Sequence, residues 1–254
     1  MRIPGTLREL QRFFLPAACL GCDAWIPTGL REERVCGPCR ARLRPLPSPR
    51  CDRCDVPLGT GRSRAASCEE CRPWPDALTL ARSAVVLAPP ADRLVHALKY
   101  EGWRHVASLM AERMARIRLP RRFSPGVAAV VAVPTTRARR RRRGYNQARV
   151  LAEALPDRRG DVASGVLVRV SGGDSQVSLH PSQRRTNVRS AFAIGENAGA
   201  LLRGRPVLLV DDVLTTGATA GAAARTVEAA GANGVAALTF ARALPYRIRP
   251  HRIP

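Results

Sequence analysis

Two textures of apolar and polar residues divide the chain, and they meet near residue 75. Beyond that point, short unbroken apolar runs alternate with stretches whose apolar residues recur three or four positions apart, the periods of a buried strand and of a helix. Ala84, Val85, Val86 and Leu87 form the first such run. A helix is predicted over residues 91–118, with Leu94, Leu98, Val106, Leu109 and Met110 on its inner face. Residues 127–133 are apolar throughout, as a strand covered on both faces of a parallel sheet must be, and a helix is predicted to follow over 146–155. A strand over 165–170 leads into a polar, glycine-bearing stretch. The clearest unit is a strand over 206–210 followed by a helix over 219–230, and a last strand is predicted over 235–240. Strands and helices in alternation predict an α/β fold with a parallel sheet flanked by helices. Ligands of such sheets sit beyond the carboxyl ends of the strands.

The first 75 residues lack this periodicity and carry cysteines instead. They fall as Cys19-x2-Cys22, Cys36-x2-Cys39, Cys51-x2-Cys54 and Cys68-x2-Cys71, with the same interval of thirteen residues inside each half, so the unit is repeated. Two thiolates three positions apart on a tight turn grip one metal, and a second such turn completes a tetrahedral sulfur shell suited to zinc. Disulfides are the alternative. They require an oxidising compartment, and the N-terminus offers no signal-peptide pattern, because Phe13-Phe14-Leu15 stops at Pro16. Two structural zinc ions are therefore expected, with either consecutive or interleaved pairing of the cysteine pairs. Residues 1–75 are read as a small zinc-ribbon region, 76–245 as the α/β domain and 246–254 as a basic tail.

Charge adds a hint about partners. Lys and Arg number 42 against 20 Asp and Glu, a net charge of +22, which favours anionic partners such as phosphates or nucleic acid. Lys99 is the one lysine; arginine in its place elsewhere reflects composition bias, but the excess of charge does not. No stretch approaches the roughly 20 apolar residues needed to cross a bilayer, so a cytoplasmic protein without membrane insertion is expected.

The strongest chemical signal is Val207-Leu208-Leu209-Val210-Asp211-Asp212-Val213-Leu214-Thr215-Thr216-Gly217-Ala218-Thr219. Two carboxylates at the end of an apolar strand precede a turn of hydroxyls and glycine at a helix N-terminus, and such a turn presents N–H groups to a phosphate. A carboxylate repels a bare phosphate, yet both are accommodated by a ribose 5-phosphate whose hydroxyls donate to Asp211 and Asp212. The plain alternative is a Thr-capped helix with two solvated Asp. A magnesium-binding segment of a nucleoside triphosphatase ends similarly, but no Gly-x4-Gly-Lys-Ser/Thr loop occurs in the chain, and no Gly-x-Gly-x-x-Gly occurs at this turn.

This segment resembles the signature of type I phosphoribosyltransferases. The resemblance narrows to the ComF family through the cysteine pairs, Leu98-Lys99-Tyr100-Glu101-Gly102, Val133-Pro134, Arg143-Gly144-Tyr145-Asn146-Gln147, Gln176 and Arg184-x2-Asn187-Val188. Tyr145 stands where the family pattern has Phe. The resemblance implies that Asp211 and Asp212 bind the ribose hydroxyls of phosphoribosyl pyrophosphate and that residues Val213, Leu214, Thr215, Thr216, Gly217, Ala218 and Thr219 hold its 5-phosphate. It further implies that the loop with Pro134 and Thr135 meets the pyrophosphate, with magnesium bridging, and that Lys99, Arg143, Tyr145, Asn146, Gln147, Gln176 and Arg184 contribute to the substrate site. A role in DNA uptake for natural transformation is implied, with an unidentified acceptor. The alternative is a non-catalytic adaptor that senses the ligand and binds single-stranded DNA and a competence helicase.

Residues 137–143 hold six arginines in seven positions. They are read as a loop, either solvated or closing on pyrophosphate or a nucleic-acid backbone. Residues 171–182 are read as another mobile loop over the site.

Overall fold

The structure, a computed structural model, describes residues 17–26, 34–59, 67–124, 128–156, 162–163, 165–170, 191–196 and 198–245. Its centre is a parallel sheet in the order β1-β6-β5-β2, where β1 is Leu78–Val86, β2 Ala129–Ala132, β5 Val207–Leu214 and β6 Val235–Arg242. The inner strands are buried on both faces. All eight residues of β6 are buried, as are Val207 to Val210 of β5, which explains their unbroken apolar sequence. Complete burial of a side chain such as Leu208 contributes about 2 kcal/mol.

Helices cover both faces. Helices α2 (Ala91–Tyr100), α3 (Val106–Ala115) and α5 (Gln147–Ala154) supply one layer, in which Leu94, Leu98, Met110 and Leu151 pack on Leu208, Val210 and Phe240. Helix α7 (Ala218–Ala229) lies in the other layer with Leu209, Ala237 and Val207. The single helix expected over 91–118 is two, because Gly102 follows α2 with φ +77°, a left-handed conformation that ends the helix.

Two further expectations are corrected. The strand near 165–170 does not join the parallel sheet; β3 (Leu167–Arg169) pairs antiparallel with β4 (Phe192–Ile194) in a separate two-stranded sheet. The arginine run is not a loop but helix α4 (Arg137–Arg143). Thr136 caps it by accepting from the Arg139 amide, and Gly144, at φ +80°, stops it. Short helices α1 (Gly37–Ala41) and α6 (Gly199–Leu202) and a 3-10 turn over Arg121–Phe123 complete the described elements. No helix among the described residues is long and apolar enough to cross a membrane.

The cysteine region is built twice on one plan. Ala18 bridges Trp25 and Arg50 bridges Pro57, each pair flanking the first Cys-x2-Cys of its half. Asp23 and Asp55, each directly after that knuckle, have φ +62° and +63°, a left-handed conformation that Asp tolerates. Each of these aspartates also docks its ribbon. Asp23 pairs with Arg93 of α2 at 2.7 Å, while Asp55 accepts from the Ser83 amide of β1 and pairs with Arg50. Together with the Ala81 amide donating to Arg53 O at 2.8 Å, this covers the open edge of β1.

Candidate functional site

The turn between β5 and α7 has the local form of an anion site. Gly217 precedes α7 at φ +82° and has no side chain to cap it; Thr216 Oγ1 accepts from the Ala218 amide at 3.4 Å, and the other first-turn N–H groups have no intrahelical partner. Thr215, Thr216 and Thr219 are exposed around it. A narrow cavity of about 30 Å³, with room for little more than a water, is lined by Asp211, Val213, Leu214, Thr215, Gly217 and Thr219 among others.

The loop after β2 lies beside this turn because the two strands are neighbours. The Val133 amide donates to Val210 O at 3.0 Å, which sets Pro134 and Thr135 next to the end of β5. Asn146 ties that loop down: its Nδ2 donates to Val133 O while its Oδ1 caps α5 at the Ala148 amide. Arg143 donates to Gln147 Oε1 at 3.0 Å and lies over the ring of Tyr100. Pro134, Thr135, Tyr145 and Asn146 line a cavity of about 480 Å³ together with Arg104, Arg137, Arg140, Arg149 and Arg169. Tyr145 is buried; its hydroxyl donates to Leu98 O and Arg104 covers its ring. That face is not open for a stacked base, and the hydroxyl that distinguishes it from Phe serves the core.

The adjacent carboxylates alternate across the strand, as successive side chains do. Asp211 lines the cavity at the turn, whereas Asp212 is buried against α2, where Lys99 Nζ pairs with its Oδ2 at 2.7 Å. The Asp212 amide donates to Asp211 Oδ1. Burial, and then the charge of Asp212, raises the Asp211 carboxyl well above its ordinary range, and Lys99 offsets part of this. The described histidines, His96 and His105, line neither cavity. Gln176 and Arg184 lie outside the described residues.

The cysteines resolve the pairing left open by the sequence. Cys19, Cys22, Cys36 and Cys39 form one tetrad and Cys51, Cys54, Cys68 and Cys71 the other, with the sulfurs of each within 4.8 Å of one another. Zinc–sulfur bonds of about 2.3 Å in a tetrahedron require S···S edges near 3.8 Å, by simple geometry. The separations Cys22–Cys36 3.8 Å, Cys51–Cys71 3.7 Å and Cys54–Cys68 3.5 Å fit that shell. Amides of Gly21 and Cys36 donate to Cys19 Sγ at 3.3 Å, stabilising a thiolate. Burial alone would push the Cys19 thiol up, but these donors outweigh it and bring it down to about 7. In the other tetrad burial, followed by the charge of Cys51, pushes Cys71 up to about 11. Four crowded sulfurs cannot all ionise unaided; a dication lets them.

Sequence reasoning passed over two residues at the turn. Trp74 Nε1 donates to Thr216 O at 2.8 Å, and the buried Arg242 donates from Nη1 to Thr215 O at 2.6 Å. Neither belongs to a local motif, and Trp74 reaches its partner across 142 positions of sequence.

Comparison with known proteins agrees with this geometry. A double zinc ribbon domain model matches residues 10–72, and a phosphoribosyl transferase domain model matches residues 123–252. The DNA utilization protein YhgH of Salmonella typhi is 29% identical over 209 residues, covering 81% of this chain and 88% of that protein. Competence protein F of Haemophilus influenzae is 27% identical over 242 residues, 91% of this chain and 99% of its own. Competence protein ComFC of Bacillus subtilis is 26% identical over 244 residues, covering 88% and 94%. With a parallel sheet in which β5 ends in the acidic pair and the threonine–glycine turn, and with two cysteine tetrads ahead of it, the chain belongs to the phosphoribosyl transferase family, among the ComF-type proteins that carry a double zinc ribbon.

Proposed function

We propose that the chain binds phosphoribosyl pyrophosphate, or a related ribose 5-phosphate, where the loops after β2 and β5 meet. The observation that carries this reading is that Asp211, at the end of β5, lines one cavity with Thr215, Gly217 and Thr219 at the N-terminus of α7. The turn takes the 5-phosphate through N–H groups and hydroxyls, and Asp211 accepts from the ribose hydroxyls. Asp212 and Lys99 form a neutral pair beneath, which limits the negative charge that the phosphate meets.

Loss of pyrophosphate from C1 builds oxocarbenium-like charge on the sugar, so catalysis requires a stabilised leaving group rather than a protein nucleophile. Pro134 and Thr135 stand at the matching loop, and Arg137 and Arg140 line the adjoining cavity. Among the described residues no Lys or Arg forms an ion pair with Asp211, so its hard carboxylate oxygens fit magnesium. Magnesium bound with the ligand would neutralise charge on the departing oxygens. The names of the relatives, with their words DNA utilization and competence, support a setting in DNA uptake. The proposed partner there is single-stranded DNA or a helicase.

A second reading, a ligand-sensing adaptor without turnover, is favoured by α4, which presents six arginines with none buried beside the same loop. Calorimetry with phosphoribosyl pyrophosphate and magnesium, joined to a pyrophosphate-release assay over bases and nucleic acids, separates the two. Turnover lost in Asp211→Ala supports the enzyme. Binding lost in that variant, with no turnover in the parent, supports the adaptor. Absence of binding to both ribose 5-phosphate and phosphoribosyl pyrophosphate rejects both.

A further inference from the structure

We infer that Trp74 is a positioning residue of the phosphate turn and that it couples ligand binding to metal occupancy of the second cysteine tetrad. The inference rests on the reading of residues 215–219 as the anion turn.

A trans peptide is planar, with the carbonyl of one residue and the N–H of the next pointing opposite ways. Fixing the carbonyl therefore aims the following N–H. The indole of Trp74 holds Thr216 O, which turns the Gly217 amide away from it, and Arg242 holds Thr215 O, which turns the Thr216 amide likewise. Both donors approach from outside the small turn cavity, whose lining includes Thr215, Gly217 and Thr219 but neither Trp74 nor Arg242. The indole also lies flush on the turn: a Cβ on Gly217 would meet its ring atoms at 2.4 to 2.5 Å. Gly217 is thus required twice, for its positive φ and for this close approach. Pro75 presses in the same way on Gly221, where an added Cβ would lie 2.9 Å from its Cδ.

Trp74 is itself held by the metal site. Its amide donates to Cys71 O at 3.0 Å. Arg53, set between the ligands Cys51 and Cys54, donates to Cys71 O, Trp74 O, Pro75 O and Leu78 O. One guanidinium thus clamps the segment that runs from the tetrad to the sheet. The first tetrad is tied instead to α2 and α3, through Asp23 with Arg93 and through Arg113 donating to Arg40 O, and among the described residues it reaches the turn only by a longer route through Arg44 O, β1 and Arg242. When zinc leaves the second tetrad, the Arg53 loop and the Cys71 carbonyl lose their fixed positions, and the turn loses its indole donor. Linkage is reciprocal, so a ligand on the turn must raise the affinity of that tetrad for zinc.

The test uses the zinc-loaded full chain and ribose 5-phosphate. Trp74→Phe keeps an aromatic side chain at this position and removes the donor. Its affinity is expected to fall about tenfold, the scale of one buried hydrogen bond, with the zinc content unchanged. Cys68→Ser is expected to weaken binding more than Cys36→Ser does. The fraction of zinc taken at equilibrium by a competing colorimetric chelator should fall on adding ligand in the parent protein and not in Trp74→Phe, a readout that a merely structural tryptophan would leave unmoved. Wild-type affinity in Trp74→Phe, together with zinc release indifferent to ligand, overturns the coupling. Asp211→Ala separates this from failure of the site: if that variant binds like the parent, the turn is not the ligand site and the inference falls with it.

Discussion

Asp211 carries a charge that its surroundings disfavour, and this makes its titration a report on the ligand. Its carboxyl is raised above the ordinary range by burial and by Asp212. The folded pKa therefore exceeds the unfolded one, so the stabilisation that comes from holding this proton is complete below the ordinary carboxyl pKa and is lost as pH rises through the raised value. On the proposed reading, ribose hydroxyls would act in the opposite sense, because they would donate to the ionised form. Between the ordinary and the raised pKa, binding of ribose 5-phosphate should release a proton, and affinity should climb with pH. Calorimetry in two buffers of different ionisation enthalpy measures that proton. The phosphate monoester also titrates, near pH 6, so Asp211→Asn is the needed comparison: it keeps the phosphate's contribution and removes the carboxyl's. Equal proton release in both proteins would exclude Asp211 from binding the sugar.

Helix α4 sets six guanidinium groups on seven residues, and like charges one turn apart oppose helix formation. Thr136 at its start and Gly144 at its end offset this, and its last-turn arginines favour the carbonyl end of the helix dipole. Replacing Arg139, Arg140, Arg141 and Arg142 with Ala should strengthen the helix, since Ala is the better helix former and the repulsion is gone. Arg143 is left in place because it holds Gln147. If α4 meets a nucleic-acid backbone, single-strand affinity falls in this variant and the salt slope becomes shallower by about 0.7 for each phosphate that is no longer neutralised. Unchanged affinity and slope would remove α4 from DNA binding, and a circular dichroism spectrum that retains its helix excludes unfolding as the cause. Both ends of this helix were legible in the sequence as a Thr and a Gly, but its middle has no apolar period, so pattern alone read a loop. β5, its turn and α7 were legible for the opposite reason: strand, acids, glycine and helix are contiguous. The pairing of β3 with β4 and the bond from Trp74 to Thr216 join distant segments, and no local signal announces either.

At the scale of the whole molecule, the ribbons belong to the core. Cys19, Ile26, Cys39 and Leu43 pack in the layer of α2 and α3, whereas Cys51, Cys54, Val56 and Trp74 pack in the layer of α7, so each tetrad completes one face of the same sheet. A sequence that changes texture near residue 75 suggests an appendage; the packing gives two plugs, one on each side. Structural zinc contributes binding free energy directly to folding, and the second ribbon also covers the β1 edge through Arg53 O and Asp55. Metal analysis should return two zinc ions per chain. A strong chelator should then lower the midpoint of one cooperative unfolding transition, not detach a small module from an intact sheet. For a chain of this length a loss of 1 kcal/mol moves the midpoint by about 2–4 °C, so removing metal that contributes several kcal/mol shifts it by about 10 °C or more. Near-ultraviolet dichroism from Trp74 should vanish in that same transition, since its indole is fixed between tetrad and turn. A separate early transition, with the remaining dichroism and the midpoint of the sheet unchanged, would show that the plugs are independent of the core they fill.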